Sequence, residues 1–456
     1  MRKSTIHNVG CICYNDSCAL IKILPIGDGD PVNAKFNHKN NQQHKSAWLI
    51  WSLGCLFYLY ECLLQVSPGV MSSELMHDFA VTSQTLGVLS GIYFYSYACM
   101  QMPCGILMDR FGPHRLLTVA AFICAVSTIG FGMTDNFFAA CVARLMIGFG
   151  SAFAVVGSLK LAANWFDAKR FAFLTGLMVT LGMLGAIGGE APLALLIEWF
   201  GWRHSMIIMG CAGLIIASLI LMFTKDSPYI IQAPIKRHKE PLIPRLLILL
   251  TNKQLWLVAI YGGLIYMATP VFCGLWGVPY LMLKMHISKA LAANCISLVF
   301  IGWAIASPLW GVFSNRYGKR KPSMYVAAIG ALFSSIFFIF VSMPTILVQL
   351  FLLIFGLCSA GFLPAFAVVK ELSNKRYVAT SVSFMNMVNM IGIAIAQPLI
   401  GLILDYFWRG EIVNAVRIYP IEAYQIALSI IPIGMLIALL LLPFIRETHC
   451  QMVSDA

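Results

Sequence analysis

The sequence predicts an all-α membrane protein of twelve transmembrane helices in two pseudo-symmetric six-helix bundles, and three observations predict it. Of its 456 residues 59% are hydrophobic and only 11% charged, where a soluble domain carries about 25% charged residues. Apolar stretches of roughly the 20 residues that cross a bilayer recur along the whole chain. One basic loop also occurs twice, as "GILMDRFGPHR" over 105–115 and "GVFSNRYGKRK" over 311–321, in register without a gap.

Taken in order, the spans are expected at 47–68, 84–108, 114–134, 137–160, 170–195 and 204–224, then at 255–283, 289–313, 322–343, 345–369, 378–404 and 422–445. Short polar loops with Gly, Pro, Lys or Arg separate them. The repeated loop divides the chain into a first bundle at 47–224, a central loop at 225–254 that carries "IKRHKEPLIP", and a second bundle at 255–446. Flanking them are a polar tail at 1–46 and a short tail at 447–456. The first tail contains "HKNNQQHK", reads as flexible chain, and lacks the basic, apolar and small-residue order of a signal peptide.

Lysine and arginine orient these spans, because loops retained in the cytoplasm collect them. Placing both termini inside puts 25 of the 31 basic residues on the cytoplasmic side. The outer loops hold Arg203, Lys284, Lys289, Arg409 and Arg417, and Arg144 falls within a span. The net charge of +12 is thus explained by topology, and no nucleic-acid partner is expected. Fourteen cysteines, scattered mostly through apolar spans without C-x-x-C pairs, read as small core residues; no metal or cofactor is expected.

The repeated loop has a physical rationale. Gly105 lets helices approach, Gly112 permits a tight turn, and Asp109 at a helix end can accept backbone amides or pair with a cation. Asp109, Arg110 and Arg115 in the first copy, with Asn315, Arg316 and Gly318 in the second, are therefore expected to form a gate that closes in one state and breaks in another. The pattern G-x-x-x-D-R-x-G, repeated in degenerate form, resembles the signature of the major facilitator superfamily over residues 47–446. "RLMIGFG" at 144–150 resembles its fourth-helix arginine and glycine motif. "GMLGAIGGEAP" at 182–192 is similar to the fifth-helix motif of its antiporter branch but has Ala186 where that branch has proline. The run 144–177 is similar to lysosomal dipeptide transporters and their bacterial relatives, including proteobacterial amino-acid carriers, while "NWFDAKR" is shared with organic-anion carriers.

Three charged residues fall inside spans, where each costs about 2.5–3.5 kcal/mol and marks function by default. Glu61 shares a helix face with Tyr58 and Gln65. It can exchange protons or hold a substrate amine; the structural alternative is a carboxylate paired across helices. Arg144 offers a permanently charged fork suited to a carboxylate, a role the resemblance to dipeptide transporters also implies, against a packing and proton-relay role. Glu190 is a second proton-coupling candidate, placed near the outer end of its span. Lys160 is expected to snorkel at the cytoplasmic edge. In the second half Asn386 and Asn389 on one face, Gln397 before Pro398, and Trp276 are candidates for substrate contact.

No phosphate loop, H-E-x-x-H site or nucleophile elbow occurs, so an enzyme is not expected. The expectation is a secondary transporter for a small solute, an amino acid or short peptide, with proton coupling, in a bacterial inner membrane. An organic-anion carrier and a non-transporting nutrient sensor are the alternatives.

Overall fold

A computed structural model of the chain describes residues 31–226, 250–374, 378–413 and 416–452. The basic segment at 235–244, Cys11, Cys13, Cys18 and the chain before residue 31 lie outside the described residues. Nearly everything described is helical. The first half contains α1 (Pro31–Val66), α2 (Ser72–Asp78), α3 (Ser83–Phe111), α4 (Pro113–Met133), α5 (Phe137–Trp165), α6 (Ala168–Gly188) and α7 (Ala191–Phe223). The second contains α8 (Lys253–Val271), α9 (Gly277–Met285), α10 (Lys289–Tyr317), α11 (Lys321–Phe340), α12 (Thr345–Ser359), α13 (Leu363–Leu372), α14 (Val378–Tyr406), α15 (Ile421–Leu428) and α16 (Ile430–Leu441). A two-residue antiparallel ladder pairs Ile412 with Arg417 and Val413 with Val416.

Among the described residues, ten helical runs are long and apolar enough to cross a membrane. The expected spans at 170–195 and 204–224 fall in one run of 51 residues, Phe173–Phe223, about 76 Å if straight. It bends at Glu190 (φ −101°, ψ −106°) and at Gly201, whose φ of 73° only glycine adopts readily. Helix α3 stands outside the ten, with Tyr93, Ser96, Tyr97 and Gln101 along its middle. Large apolar side chains such as Phe122, Ile215, Leu309 and Phe333 remain more than half exposed, as lipid-facing surfaces require.

Two breaks interrupt the helices that begin each half. After α1 the chain forms a 3-10 turn at Ser67–Met71, because Pro68 has no amide to bond the Leu64 carbonyl four residues back. After α8 a π-helical turn occupies Phe272–Trp276, at the matching place of the second half. Gly69 packs there against the Cys273 carbonyl and Gly274, so the breaks meet across the seam between the halves.

The two ends of the helix assembly differ. At the end away from the repeated loops, α3 and α14 approach so closely that a Cβ on Gly87 would stand 2.6 Å from the Gln397 carbonyl oxygen, and one on Gly401 2.3 Å from that of Ser83. At the repeated-loop end, nothing lies within 4 Å of where a Cβ on Gly105 would stand. A cavity of about 710 Å³ opens there, bounded by Gly105, Asp109, Lys160, Ala379, Thr380 and Ser383.

Candidate functional site

Arg144 is positioned by backbone geometry. On the same face of α5, one turn on, Gly148 brings the helix against α3 until an added Cβ would sit 2.2 Å from the Tyr93 carbonyl oxygen. That approach lays the Arg144 guanidinium over the Tyr93 ring, 5.0 Å from its centroid. Its Nη1 donates to the Leu64 carbonyl at 3.0 Å, the acceptor that Pro68 leaves free. Only 1% of Arg144 is exposed, and Nε and Nη2 have no protein partner. Those two atoms form the side-on edge with which arginine grips a carboxylate. Arg320 shows the same edge in use: its Nε and Nη2 lie 3.1 and 2.6 Å from Oε1 of Glu371.

Tyr93 joins Arg144 to Glu61. Its hydroxyl donates to Oε1 of Glu61 at 2.8 Å, while the Cys62 thiol reaches Oε2 at 3.5 Å. Glu61 is 2% exposed, and among the described residues no ion pair joins it to Arg144. Tyr58, Tyr97 and Tyr266 lie within electrostatic reach of the same carboxyl. A buried cationic fork and a carboxyl thus both contact one tyrosine.

The other candidates are dispersed. Asn386 donates to Oε1 of Gln101 at 2.9 Å, linking α14 to α3. Asn389, three residues on, is fully buried with neither amide atom partnered. Gln397 donates to the Pro270 carbonyl at 3.2 Å and leaves Oε1 free. The Trp276 indole donates to the Gln397 carbonyl at 3.2 Å, and its ring lines a separate apolar cavity of about 380 Å³ at the end away from the repeated loops. Glu190 is fully buried at the bend before α7, with neither oxygen partnered, rather than near a surface.

At the repeated loops, Gly112 (φ 81°) and Gly318 (φ 61°) take the left-handed turns that glycine permits. Asp109 receives Lys160 Nζ at 2.7 Å, so Lys160 is paired rather than snorkelling freely. Arg110 lies over Phe111, Arg115 and Arg316 are exposed, and Asn315 accepts from Arg320 Nη1 at 2.8 Å. Each loop leads into a helix whose first amides meet a carboxylate: His114 N–H donates to Asp226 at 2.7 Å, and Arg320 N–H to Glu447 at 2.8 Å.

Residues 53–281 and 264–449 each match the Major Facilitator Superfamily. The chain belongs to that superfamily. The "Lysosomal dipeptide transporter" of Danio rerio is 25% identical over 390 residues, 80% of this chain and 82% of that one. The "Probable sulfoacetate transporter" of Cupriavidus necator is 26% identical over 187 residues, 41% of this chain and 44% of that one, so this alignment spans less than half of the relative's length. Among solved structures, a bacterial homologue of the human lysosomal transporter Spinster, inward-facing and unoccupied, superposes with a TM-score of 0.75 at 15% identity, over 90% of this chain and 99% of that one. This superfamily member is a multi-pass membrane transporter and not an enzyme.

Sequence reasoning missed Tyr93, although Tyr93, Tyr97 and Gln101 recur every four residues and so stripe one face of an otherwise apolar helix. It also missed Arg320, Glu371 and Glu447, which read as ordinary loop charges. Asp226 and Glu447 each follow the last apolar run of their half closely, and that shared position was the available signal.

Proposed function

We propose that this transporter is a secondary carrier of twelve crossings with both termini cytoplasmic, in a bacterial inner membrane, working by alternating access on a small solute that bears an anionic group. The observation that carries the reading is the unpartnered Nε and Nη2 edge of Arg144, fixed by Leu64 and Tyr93. Each buried donor left unmade costs about 1–3 kcal/mol, so a chain that holds two on one rigid fork has a use for them. A carboxylate, sulfonate or phosphate docked on that edge completes both bonds.

The substrate is an amino acid or short peptide: Arg144 takes its carboxylate, and Glu61, across Tyr93, faces its amine and exchanges the coupling proton. The coverage of the dipeptide-transporting relative supports this. Glu190 is the second proton site. Tyr58, Asn386, Asn389, Trp276 and Gln397 shape the route, and the two repeated loops act as its gate. A second reading, an organic anion without an amine, is favoured by the bond that already ties Glu61 to Tyr93 and by the similarity to the "Probable sulfoacetate transporter".

The test is a thermal-shift series on the purified protein with alanyl-alanine, free alanine, sulfoacetate, galactarate and glucose, each acid paired with its methyl ester or amide. A ligand of the folded state raises Tm. Stabilisation by alanyl-alanine or alanine that is lost in the esters supports the first reading, and stabilisation by sulfoacetate or galactarate supports the second. Stabilisation by glucose, or by esters as well as acids, overturns the anion anchor.

A further inference from the structure

The N-terminus of α3 is completed by the other half of the chain. Its first three amides need acceptors outside the helix. Thr85 N–H is bonded locally by Thr82 Oγ1 at 3.4 Å. Ser83 N–H instead donates to the Tyr419 hydroxyl at 3.3 Å, and Gln84 N–H to Oδ2 of Asp405 at 2.9 Å. The Tyr419 hydroxyl in turn donates to Oδ1 of Asp405 at 2.6 Å, and Arg417 stands 3.5 Å from the same oxygen. A carboxylate on α14 thus caps a helix of the first half, where the helix dipole favours negative charge. Lys289 and Glu74 add an ion pair across the same seam.

The sequence around this cap occurs a second time in the chain. "GLILDYF" at 401–407 repeats "GILMDRF" at 105–111, with Gly401 matching Gly105, Asp405 matching Asp109 and Phe407 matching Phe111. One copy ends α14 and the other ends α3, at opposite ends of the molecule. Gly401 presses on the first turn of α3, with Asp405 seated on its amides. Gly105 meets nothing within 4 Å and borders the cavity that also meets Ala379 and Thr380 in the first turn of α14, while Asp109 beside it receives Lys160. The matching glycines therefore differ: Gly401 is packed on the facing helix, and Gly105 stands open beside the cavity.

We infer that Asp405 is a latch: capping α3 from α14 holds the end away from the repeated loops closed, and releasing that cap is a step of opening it. The inference rests on the alternating-access reading but not on any substrate. Two-state elements of this kind shift population when one state loses a contact the other lacks.

Hydrogen exchange on the full chain in lipid nanodiscs, without added ligand, tests it. In Asp405→Ala, exchange at residues 83–87 should rise about fivefold or more, while exchange at residues 379–383 falls as the other end closes. Tyr419→Phe, which removes only a hydroxyl, should shift both segments in the same directions. Asp405→Asn keeps an acceptor and should stay near wild type. A rise at 83–87 with 379–383 unchanged makes Asp405 a local cap and overturns the latch, as does no change at either segment. Because no substrate enters, neither result depends on whether Arg144 binds an anion.

Discussion

Arg144→Lys keeps a cation in the buried site and removes its shape. The lysine ammonium can reach the Leu64 carbonyl or a ligand oxygen as a point charge, but it cannot present the parallel Nε and Nη2 donors while a third nitrogen holds the carbonyl. One of two charge-assisted hydrogen bonds to the ligand is then lost, a change of about 1.5–3 kcal/mol, or about 10- to 150-fold in Kd. Calorimetric titration with whichever acid stabilises the wild type measures it, with the methyl ester as control. Fold is conserved by the remaining charge, so Tm without ligand should move little. The reasoning is refuted if the acid binds the variant within about threefold of wild type, or if acid and ester lose affinity equally.

Three further outcomes follow from the same geometry. Gly148→Ala drives a Cβ to 2.2 Å from the Tyr93 carbonyl oxygen; overpacking of this kind costs about 1–3 kcal/mol and parts the tyrosine from Arg144, so both Tm and ligand affinity should fall, whereas Gly130→Ala, with nothing within 4 Å, should leave both intact. Glu61→Gln should abolish proton-driven accumulation in vesicles and leave substrate counterflow working; unchanged accumulation across a pH gradient removes Glu61 from coupling. At Glu447, burial opposes the charge, but amides of Arg320, Lys321, His449 and Thr448 more than offset it and hold the carboxyl below its ordinary 4.5. With the folded value depressed, its stabilisation is complete above about pH 4.5 and is lost as pH falls through the folded value. The Tm advantage of wild type over Glu447→Gln should shrink in that acid range and stay constant from pH 6 to 8.

The spans were legible because hydrophobic length is a local property. Their exact division at 170–224 was not, since the bends at Glu190 and Gly201 come from packing and leave the hydropathy almost continuous. Arg144 and Glu61 stood out because a charge in lipid demands a reason. Their connection did not, because it runs through Tyr93, a residue type that does not stand out in a membrane helix, and through a carbonyl freed by Pro68. Asp109 read as an acceptor for backbone amides or a partner for a cation, and Lys160 supplies the cation from α5. That Arg320, rather than Arg316, would be the buried arginine of the second loop depends on Glu371 and Thr448 converging from distant sequence, which no local pattern encodes.

The placement of the proposed anchor also ties Arg144 to the seam between the halves. The Leu64 carbonyl that holds Arg144 accepts from the Ser67 hydroxyl as well, at 2.9 Å, and Ser67 opens the 3-10 turn that packs on the π-helical turn of the second half. An anion bound as proposed on Nε and Nη2 would draw on the same guanidinium that holds the Leu64 carbonyl. The proposed anion site and the seam therefore share one short stretch of backbone, residues 64–71, which runs from the Leu64 carbonyl to the contact between Gly69 and Gly274. Had Arg144 been held by a side chain instead, the fork would be equally rigid but the break would not feel it. The chain instead spends a proline on freeing one carbonyl, and that choice puts the buried cation in mechanical contact with the part of α1 that meets the other half.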